Sequence, residues 1–303
     1  MKASVAGAPV SFGVFEMTPE GAETVAPDDM LDILARAGYA GIDLGPVGYL
    51  GRGIELRKRL ERFGLELAGG WVELPFSDDE AFEDSLPLLE AALRVFADVA
   101  ESSPARLPKP TLADHGSAER KSSFGRAAGG LDGAGWDRLA RNSERAASLV
   151  RAAGLEPTFH HHAGTFVEAP DEIDRFLQLV DIGLTLDTGH LLLGGGDPLE
   201  AVRRWGPRIN HLHLKDVDTA RLRRVLDSGG GMTEVWSSGA FVAFGQGDID
   251  LPAVLNTIDA IGYDGWVVVE QDVLPAPGTP LDDFLGRREH DQKVSREALR
   301  AWC

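Results

Sequence analysis

Cysteine is almost missing from this chain of 303 residues, whose single cysteine is Cys303. One cysteine cannot form an intrachain disulfide, and at this position no thiolate is expected in a buried site. Long hydrophobic runs are also missing, since no run of about 18 apolar residues is present to span a bilayer. The amino-terminal stretch is broken by Gly7 and Pro9 and lacks the apolar core of a signal peptide. We therefore expect a cytoplasmic protein with no membrane partner.

Positive charge is scarce as well. The chain has 30 lysines and arginines against 48 aspartates and glutamates, a formal net charge of -18. Proteins that bind nucleic acid neutralise phosphates with lysine and arginine, so this balance excludes nucleic acid as an expected partner. No Gly-x-Gly-x-x-Gly pattern follows the first predicted strand, which removes the main support for a doubly wound sheet with a dinucleotide site. That open sheet remains the alternative fold.

One pattern recurs along the chain: an amphipathic segment, a break containing glycine, and then a short apolar run. It occurs at 35–44, 62–67, 151–157 and 260–269. Glycine can end a helix in the left-handed conformation, and the apolar run that follows suits a buried parallel strand. Helices alternating with eight such strands are typical of a (β/α)8 TIM barrel, here a single domain over 1–303 with a C-terminal helical extension. The predicted strands are 4–12, 41–45, 66–74, 110–114, 156–162, 183–187, 209–215 and 266–270, with a last helix at about 282–301.

Polar residues end the apolar runs of the last four predicted strands. They are His160 and His162, then Asp187, then His213 and Lys215, and finally Glu270. A barrel carries its active site at the carboxyl ends of its strands, and imidazole together with carboxylate suits a divalent metal. The segment 114–135 is predicted as a long loop on the same face. The segment 218–245 is a second predicted loop, and the stereochemistry of the substrate depends on both.

Each of these residues also has a purely structural interpretation. Asp187 could cap the turn that follows it, and Glu270 could pair with an arginine or lysine. His190 could lie at a helix end, and Lys215 could form a surface pair with Asp216. Trp71, near the end of the third strand, could be plain packing.

Several segments resemble a known family. They read HHHAGT at 160–165, DTGH at 187–190, HLHLKD at 211–216, GQGDID at 245–250 and GYDGWVVVE at 262–270. Together they are similar to the xylose isomerase-like barrel superfamily and, within it, to inosose (2-keto-myo-inositol) dehydratases. The resemblance is dense from about 155 to 272, and the triple histidine followed by Gly-Thr is its most discriminating part.

The resemblance implies one divalent metal, Mn²⁺ or Co²⁺, with Mg²⁺ and Zn²⁺ as alternatives. Its ligands would be Asp187, His213 and Glu270, together with His160 at a position where the family usually has glutamate. Imidazole in place of carboxylate favours softer metals over magnesium. His190 or His162 is the candidate base, and the two histidines together could fill the roles of base and acid. Lys215 could stabilise an oxyanion. Substrate binding is assigned to Trp71, Glu73 and His211.

The implied activity is a dehydratase of carbohydrate metabolism, in inositol catabolism, that acts on a cyclic polyol ketone. It would remove the proton alpha to the carbonyl and eliminate the beta hydroxyl. An isomerase or epimerase using the same enediolate is the first alternative, and a non-catalytic binding barrel is the second. Endonucleases that share this barrel need a basic surface, which the charge balance opposes. A small polyol or keto-sugar is the expected partner, and barrels of this kind often form homo-oligomers.

Overall fold

The computed structural model describes residues 1–16, 18, 24–100, 106–125, 129–276 and 278–303. Eight strands are hydrogen-bonded in the order β1-β10-β7-β6-β5-β4-β3-β2 and close a barrel, while β8 and β9 form a separate antiparallel pair. This confirms the predicted (β/α)8 barrel. The strands are β1 (Ser4–Gly7), β2 (Gly41–Asp43), β3 (Glu66–Leu74), β4 (Lys109–Asp114), β5 (Thr158–His160), β6 (Gly183–Asp187), β7 (Ile209–Leu214), β8 (Asp216–Val217), β9 (Phe241–Val242) and β10 (Trp266–Val269).

The described residues include twelve α-helices, the last of which confirms the predicted C-terminal helix. None of them combines the length and the apolar character that crossing a membrane requires. They are α1 (Pro27–Ala37), α2 (Gly53–Phe63), α3 (Asp79–Ala100), α4 (Ala118–Ser122), α5 (Gly133–Ala152), α6 (Pro170–Leu179), α7 (Thr188–Leu193), α8 (Pro198–Trp205), α9 (Thr219–Asp227), α10 (Met232–Ser238), α11 (Leu251–Ala260) and α12 (Leu281–Ala298).

Two of the predicted strands have the boundaries that the structure shows. The strands predicted over 66–74 and 183–187 are β3 and β6, with the same first and last residues. The first strand was predicted too long, because Pro9–Phe12 forms a 3-10 turn in which Pro9 has no N–H for a strand ladder. The predicted loops also hold structure: 114–135 contains α4, with 126–128 outside the described residues, and 218–245 contains α9, α10 and β9.

Glycine ends helices at the predicted joints. Gly38 after α1 and Gly64 after α2 are left-handed, with φ of 85° and 66°, and their N–H groups bond carbonyls of the preceding turn. A side chain at φ above zero would be strained, so glycine lets the chain turn directly from helix to strand. This is the physical basis of the recurring pattern.

The chain divides into two compact units, each with its own packing. The first comprises Met1–Ala68 and His213–Cys303. Within it β1 pairs in parallel with β10, placing Ser4 opposite Trp266. The Trp266 ring is almost fully buried and occupies the space beside Gly41, where an added Cβ would lie 2.7 Å from the indole.

The second unit is Gly69–Leu212 and contains the parallel strands β4, β5 and β6 in register. Phe159 lies between Leu112 and Leu184 in this register, and its ring stacks on Phe176 of α6 at 3.8 Å between centroids. This packing fixes β5, so that His160 ends the strand beside Thr185 of β6. That the whole chain is one domain stays a prediction.

Candidate active site

His160 and Asp187 end the neighbouring strands β5 and β6. Both side chains are buried, and His160 Nε2 lies 3.5 Å from Asp187 Oδ2. The other carboxylate oxygen, Oδ1, accepts the backbone N–H of His190 at 2.9 Å and so caps α7. The capping interpretation of Asp187 is therefore correct, and it is compatible with a ligand role because the two oxygens serve different partners.

His161 also contacts Asp187, through the backbone of that aspartate. Its Nε2 accepts the backbone N–H of Asp187 at 3.2 Å, so the neutral ring carries its proton on Nδ1. The ring is fully buried. Sequence reasoning treated His161 only as part of the triple histidine, whereas the structure gives it a positioning role for Asp187.

His162 and His190 form a close histidine pair, with ring centroids 3.6 Å apart. His162 was predicted inside the fifth strand, which is wrong, because β5 ends at His160. The short loop nevertheless keeps the His162 ring 5.7 Å from that of His160. His162 Nδ1 lies 2.8 Å from the carbonyl oxygen of Ala163, which fixes the ring orientation.

Trp71 of β3 packs on this group of histidines. Its indole meets His160 edge-on at 5.2 Å between ring centroids and His162 at 4.9 Å. Trp71 therefore orients two site histidines and is half-buried rather than enclosed in the core. Glu73, two residues further along, is exposed beside His115 and Lys121, and its Oε1 bonds Nδ1 of His115. A substrate role for Trp71 and Glu73 stays a prediction.

His213, Lys215 and Glu270 form a second buried group, in the first unit. His213 Nδ1 lies 3.2 Å from Glu270 Oε2. The same oxygen accepts a hydrogen bond from the Lys215 ammonium, which also lies 3.5 Å from Asp272 Oδ1. The predicted pairing of Glu270 with a lysine is thus correct. His211, two residues before His213, is fully buried on the same strand, and its substrate role stays a prediction.

The surface pair between Lys215 and Asp216 is wrong, because both residues are buried and Asp216 has other partners. Its carboxylate accepts backbone N–H groups of Gly245 at 2.9 Å, Gly247 at 3.0 Å and Ile249 at 3.3 Å. An added Cβ on Gly247 would lie 2.2 Å from Asp216 Oδ1, so only glycine fits there. Asp216 thereby joins the two ends of the segment that carries α9 and α10.

Asp43 ends β2 and is a site residue that sequence reasoning missed. It is 5% exposed, and burial raises its pKa to about 7, although His213 and Lys215 oppose that shift. Its carboxylate and a ring nitrogen of His213 lie within 4.8 Å of each other. Burial by itself lowers the pKa of His213, but Glu270 and Asp43 outweigh it and raise the pKa. The signal was present, since Asp43 is also a polar residue at the end of an apolar run.

Arg120 of α4 attaches the segment after β4 to the segment after β5. Its buried guanidinium bonds Glu172 and lies 3.6 Å from Glu168 Oε2. Glu168 in turn accepts the backbone N–H of Gly125. Burial raises the pKa of Glu168 to about 7. This charge group is the main anchor of α4 in the second unit.

Asp114 makes a second attachment between the same two segments. Its Oδ2 accepts the backbone N–H groups of Gly116 at 2.9 Å and Phe166 at 3.1 Å. Burial raises the pKa of Asp114 to about 6, although both hydrogen bonds favour the charged form. The carboxyl ends of β4 and β5 are therefore held together by side chains as well as by strand pairing.

Two pairs of side chains have donor atoms that suit a divalent metal: His160 with Asp187, and His213 with Glu270. Each unit offers one imidazole nitrogen and one carboxylate oxygen, separated by 3.5 Å for His160 and Asp187 and by 3.2 Å for His213 and Glu270. Two ligands each about 2.1 Å from a tetrahedral ion would be about 3.4 Å apart. The residues present therefore fit such an ion.

Comparison with known proteins gives a consistent result. A family profile described as xylose isomerase-like TIM barrel matches residues 31–301. The chain is 30% identical to an inosose dehydratase of Lacticaseibacillus casei over 284 residues, which cover 90% of this chain and 91% of the relative. It is 31% identical to the rhizopine catabolism protein MocC of Rhizobium meliloti over 265 residues, 84% of this chain and 77% of MocC.

Solved structures support the fold. An L-ribulose 3-epimerase superposes with a TM-score of 0.69 at 17% identity, covering 99% of this chain and 94% of that one. The probable 3-DHS dehydratase AsbF of Bacillus anthracis superposes with a TM-score of 0.66 at 14% identity, covering 98% of each chain. Both solved structures therefore share the fold of this chain.

Proposed function

Because the chain belongs to the xylose isomerase-like TIM barrel family and is an enzyme of the lyase or isomerase type, we propose that it is a metal-dependent dehydratase acting on a cyclic polyol ketone of the inosose type. The observation that carries this proposal is the 30% identity to an inosose dehydratase over 90% of the chain. The two histidine and carboxylate pairs described above support a metal requirement.

We assign His160, Asp187, His213 and Glu270 as the residues that would hold the metal. His160 and Asp187 end β5 and β6, His213 lies near the end of β7, and Glu270 directly follows β10. These four strands are consecutive in the barrel order. When bound, a divalent metal such as Mn²⁺ or Co²⁺ would supply Lewis acidity toward the ketone oxygen of the substrate. Two imidazole donors favour these ions and Zn²⁺ over Mg²⁺.

His190 is the proposed general base. Its ring is buried, and its backbone is fixed by the hydrogen bond to Asp187, so the side chain has little freedom to leave the site. The base takes the proton from the carbon alpha to the ketone. The electron pair of that C–H bond then forms the carbon–carbon double bond as the beta C–O bond breaks.

His162 is the proposed general acid. It contacts His190 directly, and in its protonated form it can give a proton to the departing hydroxyl, which leaves as water. Elimination needs one neutral and one protonated group close together. Two touching imidazoles provide that combination near neutral pH.

Lys215 is proposed to stabilise negative charge that develops on the substrate oxygen. Its ammonium is buried and oriented by Glu270 and Asp272, so it would act without reorganisation of solvent. Trp71 is proposed to pack its indole against the carbon-bound hydrogens of the substrate ring. We keep Glu73 and His211 as proposed substrate contacts.

The test is a panel of inososes, dehydroshikimate and ketohexoses, offered to metal-free protein with added Mn²⁺ or Co²⁺. Loss of water from an inosose gives a conjugated diketone, so ultraviolet absorbance should rise with the wild type and not with Glu270→Gln. If aldose and ketose interconvert without this rise in absorbance, the protein is an isomerase and the dehydratase proposal is wrong. If the protein binds no metal and gains no activity with any added metal, it is a non-catalytic binding barrel.

A further inference from the structure

Asp43 is a buried carboxylate that the proposed reaction does not use. It follows Ile42 and precedes Leu44, both fully buried, at the carboxyl end of β2. Among the described residues, none donates a hydrogen bond to its Oδ1. Burying a carboxylate in apolar surroundings is costly unless a partner recovers the free energy, so its position calls for a partner in the site.

The charged groups around Asp43 identify that partner. Within the first unit, its carboxylate and a ring nitrogen of His213 lie within 4.8 Å of each other. His213, Glu270 and Lys215 act on its charge, and His213 has the largest effect of the three. Glu270 repels it. The Lys215 ammonium is engaged by Glu270 and Asp272. The imidazole of His213 is therefore the group that the Asp43 carboxylate can orient.

We propose that Asp43 is a positioning residue for His213, an inference that rests on the metal-binding function proposed above. The Nδ1 edge of His213 faces Glu270, the other ligand of its unit. A ligating imidazole commonly donates its second ring N–H to a carboxylate, which fixes the ring and raises its basicity. Asp43 supplies that carboxylate, so its effect on the metal passes through His213.

The experiment measures Mn²⁺ binding to metal-free protein by isothermal titration calorimetry. Asp43→Asn keeps the shape of the side chain and removes its charge, and we expect Mn²⁺ affinity to fall by about 10- to 100-fold. Asp43→Glu restores the charge and should recover most of that loss. Asp264→Asn removes one negative charge from an exposed position before β10 and should bind Mn²⁺ like the wild type.

The outcomes separate this inference from the function on which it rests. Wild-type protein that binds no Mn²⁺ or other divalent metal overturns both. Wild-type protein that binds Mn²⁺, with Asp43→Asn within twofold of it, overturns the positioning role alone. Normal metal affinity with a raised KM would make Asp43 a substrate contact and would also overturn it. Thermal unfolding of the metal-free proteins checks the fold, and Asp43→Ser repeats the comparison if Asp43→Asn does not fold.

Discussion

The imidazole rings of His162 and His190 are in direct contact, with centroids 3.6 Å apart. Two positive charges at this separation would repel each other, which disfavours a pair in which both rings are protonated. One ring comes from the segment after β5 and the other from α7, so the contact depends on both strand ends. The pair contains the proposed base and the proposed acid, and both are distinct from the residues proposed to hold the metal.

Replacing the two histidines one at a time should separate proton removal from elimination. We expect His190→Gln to lose both alpha-proton exchange and dehydration, by about 10²- to 10⁴-fold in kcat, because it removes the general base. His162→Gln should lose dehydration but keep exchange. Incorporation of deuterium from D₂O into recovered substrate is the measurement. Equal loss of exchange in both variants would contradict the assigned roles.

Glu270→Gln should abolish metal occupancy as well as activity. The amide cannot supply the negative charge that Lys215 and the metal require, so we expect kcat/KM to fall by more than the roughly 100-fold that outer-sphere changes produce. Elemental analysis of the purified variant and the inosose assay check the two effects. Glu83→Gln is the control, since Glu83 is exposed on α3 and pairs only with Arg145 among the described residues. Full metal content in Glu270→Gln would remove Glu270 from the ligand set.

Arg120→Ala should destabilise the folded protein strongly. It would leave the buried Glu168 and the half-buried Glu172 without their guanidinium, and breaking a buried ion pair costs about 3–5 kcal/mol. Chemical denaturation measures the free energy of unfolding. Arg145→Ala, which breaks an exposed pair with Glu83, should change it too little to resolve. Similar effects of the two variants would show that the buried group is not an anchor.

Asp114 should make stability depend on pH. Its pKa in the folded protein, about 6, lies above the ordinary 3.8, so the folded state keeps a proton that the unfolded state loses. The resulting stabilisation is fully present below pH 3.8 and is lost as pH rises through about 6. The unfolding free energy of the wild type, minus that of Asp114→Asn, should therefore fall between pH 4 and 6. An increase over this range would contradict the shift.

The barrel could be predicted from sequence because its signals are local. A glycine at the end of a helix, followed by a buried apolar run, indicates a helix-to-strand joint without knowledge of distant residues. The same rule that a polar residue ends such a run selected Asp187 and Glu270. It would also have selected Asp43, had it been applied to the short strand β2.

The remaining features depend on contacts between residues far apart in sequence. Arg120 meets Glu172 only because α4 folds over the segment after β5, and no periodicity predicts that conformation. A surface pair with Asp216 was the structural alternative for Lys215, because the two residues are neighbours in sequence. In the structure the chain turns so that Lys215 faces Glu270, a residue that another strand supplies. Side-chain direction at a strand end is decided by that turn.

Four backbone amides donate hydrogen bonds to Asp216 and attach both ends of the segment 217–249 to this one side chain. Val217 lies at one end of the segment and Gly245, Gly247 and Ile249 at the other, all bonded to the same carboxylate. The attachment beside Lys215 is therefore made by one carboxylate and four amides, and it does not depend on how many residues lie between the two ends.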